Sequence, residues 1–533
     1  MELLNNNGEI IQVLKTKDGG NDWDIAYDED NDWDFAHNHL DVSESKEFCE
    51  PDIKTSTVYE ELLSDPKFKS SNSVYLDDWP QPNEKENNLV WYFNDNFSQL
   101  RMAKEEVIKK VGIESCKIKI AIIDTGYQEG HPALPKGFES PRGISFICGE
   151  ENKPAIDKNA EAYLEQDGHG TATMSILAGK EVDMTVSGQS YKGDFGAIPF
   201  AEIVPIRICE TVALLRTSAF VKAVEYAISQ GCDVISMSMA GVPTKAWATV
   251  VNKAYENGVV LVTAAGNSWY KGFKVISPKR LLYPARWDRV IAATGVSYNQ
   301  KPYVMKVQQN NATGSSGDYQ QGNYGPESAM KSAIAAYTPN ITWATLNDEN
   351  NPYRLNGGGT SSATPQIAAA AALWIARYRK EIDDLIKDKP TEKWKKVEMV
   401  KTALFSQADK SYPESKKYFG QGTLKAFNAL SVSPSDINLV KAKEATVNMW
   451  GIADFLGLFL RLKGGEKNQE MITRGEMFEI EILQEMHNNP KLHKYLDYDE
   501  TYIWTPEEKN EVKRKLLTSK YVSTRLKEYL IAQ

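Results

Sequence analysis

Histidine is scarce in this sequence, with six residues in 533. Any reaction that needs an imidazole base has few places to find one. Cysteine is also sparse. Cys49, Cys116, Cys148, Cys209 and Cys232 make an odd number, and no pair has the CxxC spacing of a metal site. That argues against a disulfide framework or a zinc ribbon and for packed, reduced thiols. Positive charge is not in excess. The formal net charge of -10 argues against nucleic acid as the partner, because phosphate contacts need a basic surface. No apolar run is long enough to suggest a membrane span. Residues 447–462 come nearest, but Asp454 interrupts them, and a buried or amphipathic helix is expected there. The opening residues lack the basic start, apolar core and small-residue cleavage site of a secretory signal. With reduced cysteines, this gives the expectation of a cytoplasmic location.

What is present divides the chain into three. Residues 1–85 are polar and acidic, and Asn21-Asp22-Trp23-Asp24-Ile25-Ala26 recurs as Asn31-Asp32-Trp33-Asp34-Phe35-Ala36. Two copies are too few for a solenoid and read as a duplicated amphipathic turn, and the Asp spacing is not that of an EF-hand loop. From Lys117 the character changes. A β-branched run, Ile118-Lys119-Ile120-Ala121-Ile122-Ile123, ends at Asp124-Thr125-Gly126, and similar runs follow at 203–208, 234–239, 259–264 and 290–294. Helical patterns lie between several of them, as at 218–230 and 246–257. This alternation predicts an α/β fold, a parallel sheet with helices on both faces and its site at the carboxyl ends of the strands. Asp124 and Asn267 fall at such ends. Residues 433–533 mix charged and apolar positions at helical spacing, and Thr505-Pro506-Glu507-Glu508 is a capped helix start. A separate helical module is expected there.

A serine hydroxyl becomes a competent nucleophile when a base, usually His oriented by a carboxylate, takes its proton. His37 and His39 lie in the acidic segment, and His487 and His493 in the helical tail, which leaves His131 and His169. His131 sits in Gly130-His131-Pro132, a surface-turn pattern. His169 sits in Asp167-Gly168-His169-Gly170-Thr171-Ala172-Thr173, at the head of a helix of small residues. Ser361 lies in Gly357-Gly358-Gly359-Thr360-Ser361-Ser362-Ala363-Thr364-Pro365, ahead of an Ala-rich helix. There it would gain from the helix dipole and from free backbone N–H groups. Alone, that pattern is no more than a helix cap after a Gly-rich turn.

Together, Ile122-Ile123-Asp124-Thr125-Gly126, His169-Gly170-Thr171, and Gly359-Thr360-Ser361 with Ala363 and Pro365 resemble the subtilisin-like peptidase family, in that family's order of Asp, His, Ser. Ala264-Ala265-Gly266-Asn267 resembles its oxyanion segment, and Ser236 to Gly241 its substrate-pairing strand. The resemblance covers about 110 to 432, within an expected catalytic domain of 86–432. It implies a serine endopeptidase acting on protein or peptide substrates. Ser361 would attack, His169 act as base, and Asp124 orient it. Asn267 and the Ser361 N–H would hold the oxyanion. Ser238, Met239, Ala240, Gly266 and Leu282 would line the substrate cleft.

Some positions depart from the family pattern. Ala240 stands where Gly is usual, Leu282 where a small residue would open the specificity pocket, and Tyr337-Thr338-Pro339-Asn340 where Ala-Pro-Gly is usual. A narrow, selective pocket is expected. No metal ligand is assigned, and structural calcium is the one cofactor left open, with residues 186–195 the place for it. Asp32-Trp33-Asp34-Phe35-Ala36 followed by Phe48-Cys49-Glu50-Pro51-Asp52 resembles the end of a subtilase propeptide. That would put Asp77-Asp78-Trp79-Pro80 at the start of the mature enzyme. The alternatives are an inactive subtilase-like scaffold that binds partners through its flanking modules, and a subtilase that remakes peptide bonds. The apolar residues Trp450, Phe455, Leu456, Leu458, Phe459 and Leu460 give the helical module a surface for docking a substrate or partner.

Overall fold

A computed structural model describes residues 2–13, 32–43, 45, 47–52, 54–56, 89–138, 142–147, 149–157, 168–186, 188–212, 214–271, 274–275, 279–306, 319–345, 352–447, 469–497 and 504–532. The tandem Asn-Asp-Trp-Asp copy at 21–26, Asp77 to Pro80, Asp167 and the apolar stretch containing Trp450 and Phe455 lie outside the described residues.

The N-terminal part comprises strands β1 (Glu2–Leu4) and β2 (Ile10–Val13), helix α1 (Asp32–Val42), and strands β3 (Glu50–Pro51) and β4 (Lys54–Ser56). The central part begins with helix α2 (Leu100–Val111) and strands β5 (Lys119–Asp124) and β6 (Ile144–Ser145). Helix α3 (His169–Ala178) and strands β7 (Glu181–Val186), β8 (Gln189–Asp194), β9 (Glu202–Arg207) and β10 (Leu214–Arg216) follow. Next come helix α4 (Thr217–Ser229), strand β11 (Val234–Met237), helix α5 (Lys245–Glu256), and strands β12 (Val260–Ala264), β13 (Asn267–Lys271), β14 (Lys274–Val275) and β15 (Ile291–Val296). Strands β16 (Val304–Lys306), β17 (Tyr319–Gly322), β18 (Ala333–Tyr337), β19 (Ile341–Ala344) and β20 (Tyr353–Gly357) lead to helices α6 (Gly359–Ile386) and α7 (Trp394–Ser406). Helices α8 (Gln469–Asn488), α9 (Pro506–Thr518) and α10 (Thr524–Ala532) form the C-terminal part.

Seven strands make one sheet in the order β18-β15-β12-β11-β5-β9-β6, with every neighbouring pair parallel. Their β-branched runs are buried on both faces, as a doubly covered parallel sheet requires. One face carries α2, α3 and α6. The other carries α4 and α5 and, packed with them, the N- and C-terminal parts. The Ala-rich first half of α6 is buried throughout, residues 359–376. Small side chains let a central helix lie close to the sheet, and the same stretch would be a poor amphipathic surface helix.

No helix among the described residues is long and apolar enough to cross a membrane. Cys49, Cys116, Cys209 and Cys232 are free and buried. Burial pushes each of these thiols up, away from the reactive thiolate.

Candidate active site

Strand β5 delivers Asp124 to the carboxyl end of the sheet, where its carboxylate is 1% exposed. A carboxylate buried this deeply is tolerable only if its oxygens are occupied. Oδ1 accepts from the Thr125 N–H and from His169 Nδ1, each at 2.8 Å. Oδ2 accepts from Thr173 Oγ1 at 3.0 Å. With Nδ1 bonded to the carboxylate, the proton of a neutral His169 belongs on Nδ1, which leaves the Nε2 lone pair for another group. The Trp343 ring stands edge-on to the imidazole, with centroids 6.3 Å apart.

Helix α3 starts on His169 and is tied to the Asp124 loop. The Gly170 N–H donates to Thr125 Oγ1 at 3.1 Å, and Thr125 Oγ1 donates to Asp157 at 3.2 Å. The Gly168 N–H reaches the same Asp157 oxygen at 3.2 Å. Arg207 closes the arrangement from β9. Its Nε donates to Thr125 O at 2.8 Å and its guanidinium pairs with Glu150. Sequence reasoning assigned no role to Thr125, Thr173, Asp157 or Arg207. Thr125 and Thr173 stood in the quoted motifs and Arg207 was a charge at the end of an apolar strand run, whereas Asp157 carried no signal.

Ser361 is the third residue of α6 and 8% exposed. Its Oγ donates to Ser238 O at 3.1 Å, and no hydrogen bond joins it to His169 in this arrangement. Pro365 lies one turn on. Having no N–H, it leaves the Ser361 carbonyl without the usual helical donor. Ser238 Oγ fills that vacancy at 2.9 Å. The end of β11 and the serine-bearing turn are thus bonded to each other in both directions.

A helix leaves its first four N–H groups without internal acceptors. Here the Gly359 N–H donates to Tyr303 Oη at 3.1 Å and the Thr360 N–H to Asn267 Oδ1 at 2.9 Å. The Ser361 N–H is the next in that row. With Oδ1 engaged by Thr360, the Asn267 amide nitrogen faces Gly359, 3.0 Å from where a Cβ there would sit. Gly359 also has φ of +73°, so glycine is required at this position on both counts.

Around this centre the structure brings together the residues expected to meet substrate. Ser238 bonds to Ser361 as described. Met239 and Ala240 are buried at 2% and 4%, and Cys209 Sγ lies 3.4 Å from Met239 Sδ, so the Met239 side chain is turned into the core. Gly241 and Tyr283 exchange both backbone bonds, at 2.7 and 3.0 Å. Leu282 is 2% exposed. Its Cδ1 lies 2.8 Å from the position a Cβ on Gly266 would take, so it fills the space beside Gly266.

One expectation changes. His131 is no surface turn. It is 1% exposed, and its Nε2 is 3.0 Å from Pro352 O while Nδ1 accepts from the Ala133 N–H. Burial holds its imidazole below the usual histidine range, which makes it a neutral core residue. Its partner is 221 residues away in sequence, beyond the reach of a local pattern. Within residues 186–195, left open for calcium, Val186 ends β7 and Gln189 to Asp194 form β8, which pairs antiparallel with β7. Asp194 pairs with Lys104 at 2.7 Å. Among the described residues, no group of three or more His, Cys, Asp or Glu side chains is placed to hold a metal ion.

The N-terminal part is docked onto the central one through acids. Glu50 accepts from the N–H groups of Lys245 and Ala246 at 3.1 and 2.9 Å, capping α5. Asp52 accepts from the Ser218 N–H and Oγ at 3.0 and 2.7 Å, capping α4. Caps of this kind contribute about 1 kcal/mol each. Burial pushes the Glu50 carboxyl up to about 7, against the pull of its two backbone donors. Just beyond, β4 pairs antiparallel with β10, Thr55 opposite Leu215. Strand β10 follows the carboxyl end of β9, the same end of the sheet as Asp124.

The fold and this centre define an α/β protein with a serine-led helix beside a buried Asp–His pair. The sequence model of the Subtilase family matches residues 115–422, more than half the chain, and the chain belongs to that family of subtilisin-like serine peptidases. It is 30% identical over 281 residues to subtilisin DY of Bacillus licheniformis, a match spanning 52% of this chain and 83% of that protein. It is 29% identical to subtilisin NAT of Bacillus subtilis subsp. natto and 28% to subtilisin E of Bacillus subtilis (strain 168), each over 278 residues. Those two matches span 52% of this chain and 60% of each relative.

Proposed function

We propose that this chain is a serine endopeptidase with Asp124, His169 and Ser361 as its triad. The observation that carries the reading is the 2.8 Å bond from His169 Nδ1 to the buried Asp124, at the same end of the sheet as the serine-bearing turn of α6. In the reaction Ser361 Oγ turns from Ser238 O to His169 Nε2, gives up its proton there and attacks the scissile carbonyl. Asp124 holds the tautomer and stabilises the imidazolium that forms. The oxyanion takes hydrogen bonds from the Ser361 N–H and the Asn267 amide. His169 then passes its proton to the leaving amine, and water repeats the sequence on the acyl-enzyme. Residues 1–85 serve as a propeptide-like cover, residues 86–432 as the catalytic domain and residues 433–533 as a helical module. Leu282, lying against Gly266, makes the enzyme selective for a small side chain at the residue whose carbonyl is attacked.

The test is covalent. Treated with a serine-reactive fluorophosphonate, the protein should carry one adduct, mapped by peptide mass to Ser361. A scaffold without activated serine would carry none. Asn267→Ala should lower kcat by about 100- to 1,000-fold with little change in KM, the scale set by removing one oxyanion donor in subtilisin, a relative. Steady-state kinetics on a peptide ester would check it. A loss confined to KM would mean that Asn267 binds the substrate rather than the oxyanion.

A further inference from the structure

The described C-terminal helices close on helix α1 rather than on solvent. Asp34 of α1 accepts from the Thr524 N–H at 2.7 Å and from Thr524 Oγ1 at 3.2 Å, capping α10. Asp41, at the other end of α1, pairs with Arg474 of α8 and Arg525 of α10. Between them the contact is buried. His37 and Glu481 are 0% and 1% exposed and lie 3.2 Å apart, and Ser523 donates to the same carboxylate through both its N–H and its hydroxyl. Trp33, Ala36 and Leu40 share one apolar core with Met477, Phe478, Leu526 and Leu530. Gln484 spans three parts of the chain. It accepts from Trp33 Nε1 at 3.0 Å and donates to Pro243 O of the central part at 3.1 Å. The same C-terminal helices grip the central part independently. Lys245 pairs with Glu476 at 2.6 Å, and Arg286 donates to Leu496 O at 2.8 Å.

We infer that the C-terminal helices are a clamp whose occupant is helix α1 of the same chain, and that they hold the N-terminal part on the central part even when the chain between them is cut. The clamp is a set of contacts separate from Glu50 and Asp52. Release of the N-terminal part therefore requires two surfaces to open, each closed by buried or charge-assisted hydrogen bonds that cost free energy if left unpaired. Cutting the connection leaves both surfaces in place and removes only the tether, whose effective concentration a bivalent contact does not need in order to persist. The apolar face formed by Met477, Phe478, Leu526 and Leu530 is thereby assigned to a partner within the chain. The inference rests on the peptidase reading for its consequence alone, which is that a retained N-terminal part keeps β4 paired with β10, beyond the carboxyl end of β9, and so slows entry of substrate.

The experiment uses the full chain carrying Ser361→Ala, so no peptidase activity enters the result. A recognition sequence for a site-specific endopeptidase is placed within residues 57–88, the protein is cut to completion, and it is run on a sizing column. The N-terminal fragment should co-elute with the remainder. With Asp34→Ala and Asp41→Ala combined, the fragment should leave at least tenfold faster on dilution. Arg474→Ala with Arg525→Ala, which alters the clamp instead of the helix, should give the same acceleration. Immediate loss of the fragment from the parent protein would overturn the clamp. So would release rates unchanged in either double variant, since the contacts of Glu50 and Asp52 would then be sufficient alone. In the Ser361 chain, faster fluorophosphonate labelling of the same double variants would show the consequence. Its absence beside faster release would count against the peptidase reading of β4 and leave the clamp standing.

Discussion

Replacing Ser361 with alanine should reduce peptide hydrolysis to background and abolish fluorophosphonate labelling, while Ser362→Ala should keep most of both. The expected loss is about a million-fold in kcat, the scale set by subtilisin, a relative, rather than by this geometry. The two hydroxyls are adjacent but differ in what holds them. Among the described residues, Ser361 Oγ is engaged only by Ser238 O, at 3.1 Å, and the residue retains 8% exposure. Ser362 is fully buried, with its Oγ donating to Gly359 O at 3.1 Å inside the first turn of α6. Removing that bond costs about 1 kcal/mol of stability and leaves the nucleophile in place. Parallel kinetics and labelling of the two variants would check the register. A dead Ser362→Ala beside an active Ser361→Ala would move the nucleophile by one residue and with it the whole assignment.

What the sequence showed, and what it hid, follow from the distance between partners. Strand β5 could be read from its β-branched run and from the Asp that ends it, because both signals are local. Helices α4 and α5 were expected at 218–230 and 246–257 and run at Thr217–Ser229 and Lys245–Glu256. The helix-then-acidic-turn pattern of the N-terminal part was legible, and α1 and β3 occupy it. What Glu50 and Asp52 bind was not, because the N–H groups they cap lie more than 160 residues on. The same holds for Trp33 and Gln484, separated by 451 positions. Pro365 was noticed as a motif residue, but its effect, an open carbonyl on Ser361 filled by Ser238, required the fold. Buried polar contacts between remote segments have no periodicity, so hydrophobic pattern and propensity do not report them.

Gly170→Ala should cost the protein both its activity and part of its stability, although the residue has no side chain. A Cβ there would sit 2.0 Å from Gly126 O and 3.0 Å from Gly126 N, backbone atoms that no rotamer change can move. Gly126 cannot retreat either. It has φ of +100°, and the Cβ it lacks would itself lie 2.6 Å from Ala155 O and 2.9 Å from the Arg207 side chain. Helix α3 must therefore move, and restoring ordinary contact at 3.4 Å takes about 1.4 Å of displacement. That shift falls on the helix that begins with His169. It would break the 2.8 Å bond to Asp124 and the 3.1 Å bond from the Gly170 N–H to Thr125 Oγ1. Misplacing a catalytic group by about 1 Å costs about 100-fold in rate, and overpacking of this kind destabilises by about 1–3 kcal/mol. The expected outcome is thus a fall in kcat/KM of at least about 100-fold, with a lowered melting temperature in the same preparation. Gly170 does not adopt a left-handed conformation, so the effect is one of space alone. A folded Gly170→Ala variant with undiminished kcat/KM would show that α3 and the Asp124 loop are not packed as described, and that the Asp–His pair does not depend on this contact.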